Sequence, residues 1–503
     1  MAANDLTIVI LAAGKGTRLK SDLAKVLHRA GGRPLVEHVV RACQPLTKNI
    51  LVVVGHQAEG VRNAVAPLGA STVLQRPQSG TGHAMLIARS TIEPTACLAI
   101  VLPGDAPLIR TETLQALVDA HRSGSAAATV LTAQLADPAG YGRIVRKPGG
   151  SVAAIVEDKS ASAAEREIHE VNSSIYCFSL DKLWPCLAEL RPDNAHRELY
   201  LTDTIAMLNK KGERVLAVEA ADPQETFGCN TRAELAEVDR AFRARKAAAL
   251  MDAGVTIYLP ETVLIDPDVE IAPDTVIEPG VQLLGATRIG LRCTIQTGSI
   301  LTNATLADNV FIRQHSVITS SVLGSGAIVG PFAHLREGSD LRAGARVGNF
   351  VEVKKTVLGE GVKAMHLTYL GDATIGRDTN IGAGTITCNY DGVKKNPTRI
   401  GERVFVGSDS ALVAPITVGD GAYIAAGSTV TDDVPADALA IARGRQVNKP
   451  GWAAARRANM PASKSAPVPA KSAEEHNDSA EKPSLRSRRK SSTRTKTKKS
   501  SRR

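Results

Sequence analysis

The sequence predicts an α/β domain, a long connecting helix, a parallel β-helix and an irregular basic tail. Three observations carry that prediction. Apolar strand-like runs alternate with helical patterns over residues 6–232, the rhythm of an α/β fold. Aliphatic residues then recur every six positions from Ile265 onward, the mark of a solenoid built from short repeats. The formal charge of +10 is concentrated at one end: residues 453–503 hold 15 Lys or Arg against 4 Asp or Glu, which leaves −1 for residues 1–452.

A chain of 503 residues is too long for one hydrophobic core, so at least two domains are expected. Aromatic residues make up only 3% and hydrophobic residues 43%, so the cores are expected to be aliphatic. The start, Met-Ala-Ala-Asn-Asp, has no basic n-region or cleavage pattern, and no apolar run approaches the length of a membrane span. These features predict a soluble, cytoplasmic protein. The seven cysteines are scattered without metal-ligand spacing and are expected to be reduced, structural thiols.

The α/β region, residues 1–232, opens with strands at Thr7–Leu11, Ile50–Val54, Leu98–Leu102 and Ala126–Thr132. Two of them run into glycine-bearing turns, Ala12-Ala13-Gly14 and Pro103-Gly104-Asp105, at the sheet edge where α/β proteins bind ligands. The stretch Arg232–Ala253 is free of Gly and Pro and predicts one helix, so residues 233–254 form the linker. The β-helix is expected over 255–452. Its hexads run through Ile265, Ile271, Ile277, Leu283, Ile289 and Ile295, resume at Ile312 and Ile318, and continue at Val329, Leu335, Leu341, Val347 and Val353. They end with Ile375, Ile381, Ile400, Val406, Val418 and Ile424. Breaks are expected at Val362–Leu370 and Thr387–Thr398, as loops that carry function. Residues 453–503 are expected to be disordered.

The first strand leads into LAAGKGTRL, Leu11–Leu19. This is neither the Rossmann fingerprint nor a Walker A sequence; a Gly-Lys-Gly turn alone is as often structural. Arg18 and Lys25 close behind put two cations where a polyphosphate would lie.

LAAGKGTRLKSDLAKVLH resembles the signature of sugar-1-phosphate nucleotidyltransferases, and specifically the bifunctional N-acetylglucosamine-1-phosphate uridyltransferase/glucosamine-1-phosphate N-acetyltransferase (GlmU) family. The resemblance continues in order through QSGTGHA (78–84), GDAPL (104–108), GYGRI (140–144), IVEDK (155–159), EVN (170–172), LYLTD (199–203) and GCN (228–230). It implies a Rossmann-like mixed sheet and magnesium held by Asp105 and Asn230. It also implies a UDP-N-acetylglucosamine site of Leu11, Ala12, Ala13, Gly14, Lys25, Gln75, Gly80, Thr81, Asp105, Gly142 or its neighbour Gly140, Glu157, Asn172 and Asn230. Gly14, Gln75, Gly80 and Thr81 would take the uracil and ribose; Gly142, Glu157 and Asn172 would take the amino sugar. Arg18 and Lys25 would stabilise phosphate charge. Pro103 and Ser173-Ser174 depart from the family pattern, which commonly has Tyr and Thr-Gly there.

In the second half, His366 in KAMHLTYLGD is a candidate base, with Tyr369 nearby and Glu352, Lys354 and Lys355 earlier in the repeat. Acyl transfer from a thioester to an amine needs such a base and anion-binding cations. A lone His is otherwise more often a hydrogen-bonded structural residue. The same family resemblance runs through GPFAHLREG (330–338), VGNFVEVKK (347–355), HLTYLGD (366–372), NIGAGTITCNYDG (380–392) and VGSD (406–409). It implies a left-handed β-helix with His366 as general base and Glu352 as its partner. Arg336, Lys354, Tyr369 and Asn380 would bind glucosamine 1-phosphate; Ala383, Asn389, Tyr390, Lys395, Ser408, Ala426 and Arg443 would bind acetyl-CoA. His334 stands where relatives often have Arg. The implied assembly is a homotrimer, with UTP and acetyl-CoA as co-substrates.

Two other readings compete. A monofunctional nucleotidyltransferase would use the β-helix only as a scaffold. A binding function in the tail, RSRRKSSTRTKTKKSSRR, would contact nucleic acid or an anionic surface, but interleaved Ser and Thr without aromatics favour a solvated extension.

Overall fold

The structure is a computed structural model that describes residues 5–192 and 197–460. The basic stretch 461–503, where most of the expected tail falls, lies outside the described residues.

The first domain is built on a nine-stranded mixed sheet. Four parallel strands lie in the order Ser71–Leu74, Ile50–Val54, Leu6–Ala12 and Leu98–Pro103. Strand Glu170–Ser179 runs antiparallel to the last of these and to Ala128–Gln134, and Val215–Glu219 closes the edge in parallel. A hairpin of Arg143–Arg146 and Val152–Val156 branches from Glu170–Ser179. The central strands are near-continuous Val, Ile and Leu because both faces are covered. Ile8, Ile10, Val52, Ile100 and Leu102 pack with helices Leu35–Cys43 and Thr111–Ser123. Val9, Val53 and Val101 pack with helices Thr81–Ala88 and Leu180–Glu189.

The linker is one helix, Arg232–Asp252, started by a capping box in which Thr231 and Glu234 satisfy each other's backbone N–H groups. Its Val238 joins a cluster with Ala30, Leu35 and Leu108, and the Phe242 ring stacks on His38 at 3.9 Å. Further along, Ala247 and Leu250 enter the core of the second domain. One helix therefore packs on a small apolar cluster of the first domain and enters the core of the second.

The second domain is a three-sided parallel β-helix. Its first face runs from Thr256–Ile257 to Leu439–Ala440 in 11 strands, its second from Leu264–Ile265 to Thr429–Val430 in 10, and its third from Glu270–Ile271 to Ile416–Val418 in 9. All the aliphatic hexad positions named above are buried in one continuous core.

The break expected at Val362–Leu370 is not there. Strands Lys363–His366 and Tyr369–Gly371 continue the first two faces, with Ala364 and Leu370 buried. The strict count of six loses phase for a geometric reason: from the second face to the third the inward residues are often only five apart, as at Leu301 and Leu306 or Val353 and Leu358. The second break is real: residues 389–397 loop out between strands Ile386–Cys388 and Thr398–Ile400.

Residues 444–460 belong to a separate unit that contains a short helix, Trp452–Ala458, so the start of the segment expected to be irregular is helical. All seven cysteines are unpaired, five of them buried. No helix among the described residues is long and apolar enough to cross a membrane.

Candidate functional site

Strands Leu6–Ala12 and Leu98–Pro103 pair with Leu11 opposite Pro103, which brings their two glycine-bearing turns side by side. Gly104, not residue 103, donates the N–H to Leu11 O at 2.9 Å, so a proline at 103 costs the sheet no hydrogen bond. Asp105 follows, ion-paired with Lys25 Nζ. The same ammonium donates to Asn230 Oδ1 at 3.0 Å, and Arg18 Nη2 donates to that oxygen at 2.7 Å.

Four residues distant in sequence thus meet. Cys229 N donates to Asp105 O at 2.9 Å, stitching the two oxygen-bearing segments together. Gly16, at φ +66°, lets the turn close over Lys25, because a Cβ there would stand 2.4 Å from Lys25 Cβ. An Asp carboxylate and an Asn carbonyl oxygen converging on one cation form a hard-oxygen donor set that suits a divalent ion completed by phosphate and water. Among the described residues, no group of three or more His, Cys, Asp or Glu gathers to form a protein-only metal cage.

Along the same edge, nothing stands within 4 Å of where a Cβ on Gly14 would lie. Gln75 is only 3% exposed. Its Nε2 donates to Gly80 O at 3.0 Å and lies 3.1 Å from His83 Nδ1. Gly80, at φ +97°, leads into helix Thr81–Ala88, and Thr81 Oγ1 accepts from Leu201 N at 3.0 Å.

Gly142, Glu157 and Asn172 also come together. The hairpin pairs Arg143 with Val156, making Gly142 and Glu157 the next residues on each strand. Asn172 N donates to Gly142 O at 2.8 Å. Burial first, and then the Asp203 carboxylate, hold the Glu157 carboxyl above its ordinary range. The flexible-looking pair Ser173-Ser174 is fully used: Ser173 Oγ donates to Leu131 O at 2.6 Å, and Ser174 adopts φ +63° while its N–H donates to Asn172 Oδ1 at 3.1 Å.

On the β-helix, the second face carries the cations. Arg336 Nη1 pairs with Glu352 Oε1 at 2.9 Å, and Lys354 Nζ with Glu337 Oε1 at 3.2 Å. His334, Glu352 and Tyr369 are successive rungs of one ladder. A Cβ on Gly371 would lie 2.4 Å from Tyr369 Oη and 2.7 Å from Asn389 Nδ2, so the phenol and the Asn389 amide both occupy the space that the glycine leaves open. Asn389 Nδ2 donates to Asp372 Oδ2 at 2.5 Å.

His366 ends a first-face strand, exposed at the corner before the second face. Its Nδ1 is 3.0 Å from Asn349 Oδ1. The partner expected from sequence, Glu352, is instead committed to Arg336. Asn349 was hidden because it is 17 residues away, one coil below, a separation visible only once the coil length is known.

The other expected residues divide. Asn380 lies on the first face. Ala383, Ser408, Ala426 and Arg443 follow first-face strands, on the same corner line as His366. Asn389, Tyr390 and Lys395 stand on the loop between the second and third faces. That loop is knotted around Asp391, whose carboxylate accepts from Lys394 N at 2.8 Å, Val393 N at 2.9 Å and Asn396 Nδ2 at 2.9 Å. Those bonds hold its pKa down at about 2.

Comparison with known proteins agrees with this two-part layout. Residues 8–200 match the MobA-like NTP transferase domain, residues 259–375 the GMPPB C-terminal domain, and residues 397–432 the hexapeptide repeat of succinyl-transferase. A bifunctional protein GlmU of Koribacter versatilis is 50% identical over 458 residues, 90% of this chain and 97% of that one. The GlmU of Solibacter usitatus is 52% identical over 454 residues (90% and 97%), and that of an Anaeromyxobacter species 51% over 472 residues (92% and 96%). The similarity spans the α/β domain, the linker and the left-handed β-helix alike, and the chain belongs to the bifunctional GlmU family.

Proposed function

We propose that the two constellations run consecutive steps of UDP-N-acetylglucosamine synthesis. The chain is a bifunctional transferase: the β-helix acetylates glucosamine 1-phosphate from acetyl-CoA, and the α/β domain then joins the product to UMP from UTP. The membership of both halves in one bifunctional family weighs against a β-helix that is only a scaffold.

For uridyltransfer, an oxygen of the sugar phosphate attacks the α-phosphorus of UTP, and the bond to the bridging oxygen breaks to release pyrophosphate. No side-chain nucleophile is needed. The chain's task is to hold anions together, and the carrying observation is the convergence of Arg18, Lys25, Asp105 and Asn230. Asp105 and Asn230 would hold Mg2+, which supplies charge neutralisation between the phosphates. Arg18 and Lys25 then turn to phosphate oxygens. Leu11 to Gly14, Gly80 and Thr81 line the nucleotide side; Gln75, with its Nε2 engaged, offers its carbonyl oxygen to a uracil N–H. Gly142, Glu157 and Asn172 take the amino sugar.

For acetyltransfer, the amine attacks the thioester carbonyl, the C–S bond breaks, and coenzyme A leaves as the thiol. With Asn349 presenting its carbonyl oxygen, His366 carries its proton on Nδ1 and keeps the Nε2 lone pair for the amine proton. Arg336 and Lys354 would hold the sugar phosphate, with Tyr369 and Asn380 on the ring.

Two features support a homotrimer. The residues that the family resemblance assigns to acetyl-CoA fall on two different edges of one β-helix, an arrangement that fits the site shared between copies which the resemblance implies. Phe332, Phe350 and Leu367 are 50, 57 and 62% exposed on successive corners, all with positive φ, and the two Phe rings stack at 5.6 Å. Bulky residues in that conformation cost about 1–3 kcal/mol each, and such an apolar ridge suits a surface covered by a neighbour. A cytoplasmic location is part of this proposal.

The test is to assay the full chain for thiol release from acetyl-CoA with glucosamine 1-phosphate, and for pyrophosphate release from UTP with N-acetylglucosamine 1-phosphate. His366→Ala should abolish the first and spare the second, and Asp105→Ala the reverse. No thiol release from the folded chain would leave only the monofunctional reading.

A further inference from the structure

Asn172 lies at an irregularity in its strand. Its ladder with Ala128–Gln134 pairs Asn172 with Thr132 and resumes only at Tyr176 opposite Val130. Within that bulge Ser174 takes φ +63°, a conformation that a non-glycine residue keeps only when its surroundings enforce it. The bulge lets two groups reach the Asn172 side chain: Ser174 N donates to its Oδ1 at 3.1 Å, and its Nδ2 donates to Tyr176 Oη at 2.8 Å.

The chemistry of these partners decides which way the amide faces. The two ends of an Asn side chain are nearly the same shape and differ only in donating or accepting. A backbone N–H can only donate, so Ser174 marks the carbonyl end. The phenol oxygen accepts at the other end. One N–H and one lone pair of Asn172 are left over, with their identities fixed. The Tyr176 ring is buried and packs on Phe178 at 5.5 Å between centroids, so its hydroxyl cannot drift from the contact.

We infer that Tyr176 is a positioning residue for the sugar-phosphate acceptor: its hydroxyl locks the Asn172 amide so that the remaining donor and acceptor are presented in one fixed order. This rests on the reading of Asn172 as an acceptor-binding residue. Tyr176→Phe removes only the oxygen and keeps the ring's packing. One neutral hydrogen bond is worth about a fivefold change in binding, so the variant should raise the KM for N-acetylglucosamine 1-phosphate about fivefold. The KM for UTP and the acetyltransferase rate should stay unchanged, and Tm should fall by only a few degrees, an effect on the order of 1 kcal/mol.

The full-length single variants Tyr176→Phe and Asn172→Ala and the double variant separate the outcomes. A hydroxyl that acts through Asn172 has no further effect once that amide is gone, so the double variant should match Asn172→Ala. Additive effects, or an Asn172→Ala defect in acceptor KM with none in Tyr176→Phe, would overturn the inference. An unchanged acceptor KM in Asn172→Ala would overturn the underlying reading instead.

Discussion

His366 and Asn349 are rungs of the same ladder, one coil apart, with His366 Nδ1 3.0 Å from Asn349 Oδ1. The bond sets which ring nitrogen holds the proton and aims the other outward. Asn349→Ala should therefore lower acetyltransfer by about 10- to 100-fold, less than the ~100- to 10,000-fold expected of a lost general base. Uridyltransfer should be untouched. Thiol-release and pyrophosphate-release assays on the same preparation test this; an unchanged acetyltransfer rate would show that the ring is oriented by something else.

Gly371 is the floor beneath Tyr369 Oη and Asn389 Nδ2. A methyl group there pushes both aside without disturbing the buried Leu370 next to it. Gly371→Ala should cut acetyltransfer at least tenfold while the thermal midpoint falls by only a few degrees, an effect on the order of 1 kcal/mol. A variant that unfolds outright would assign the glycine to stability instead.

Acid should loosen the first domain through two buried histidines. His38 Nε2 donates to Ala30 O, 2.8 Å away, beneath Phe242, and burial pushes its pKa down to about 4; His121 sits between Thr129 Oγ1 at 2.9 Å and Ser179 Oγ at 3.0 Å and is lowered to about 4 for the same reason. Between pH 6.5 and 4 the unfolded chain binds protons that these folded rings refuse, so stability falls as pH falls through that window. His38 alone accounts for roughly 3 kcal/mol. Urea midpoints measured from pH 7 down to 4.5 should decline, and a flat profile would count against the buried, neutral state.

Removing residues 461–503 should leave both rates within about twofold. Every residue assigned to either site precedes that stretch, and its strong positive charge belongs to a segment outside both catalytic domains. Rates from the shortened chain at low and physiological salt are the check, because a tail that recruits substrate anions would reveal itself at low salt.

The architecture was legible where periodicity is unambiguous. Ile50–Val54 and Arg232 at the linker start fall where the pattern puts them, and the hexads from Ile265 to Ile295 are all inward. Legibility failed where a side of the triangle shortens to five residues and where the core position is a small Ala364. His366 then looked like part of a loop, although it ends a regular strand. The candidate site residues sit in contiguous motifs, and the fold brings Arg18, Lys25, Asp105 and Asn230 together. Their hydrogen-bond partners were not legible: Asn349 and Tyr176 reach His366 and Asn172 across a coil or a bulge, and spacing along the chain carries no sign of either.

The coils between Leu264 and Val329 hold none of the residues assigned to either reaction. Beyond its first coil, which also meets the linker helix and Arg33, each coil pairs with those above and below it, so this stretch works as a pedestal whose height is counted in whole turns. Lengthening or shortening it by one complete turn would change how far the acetylating surface stands from the uridylylating one, and leave the chemistry of both as it was.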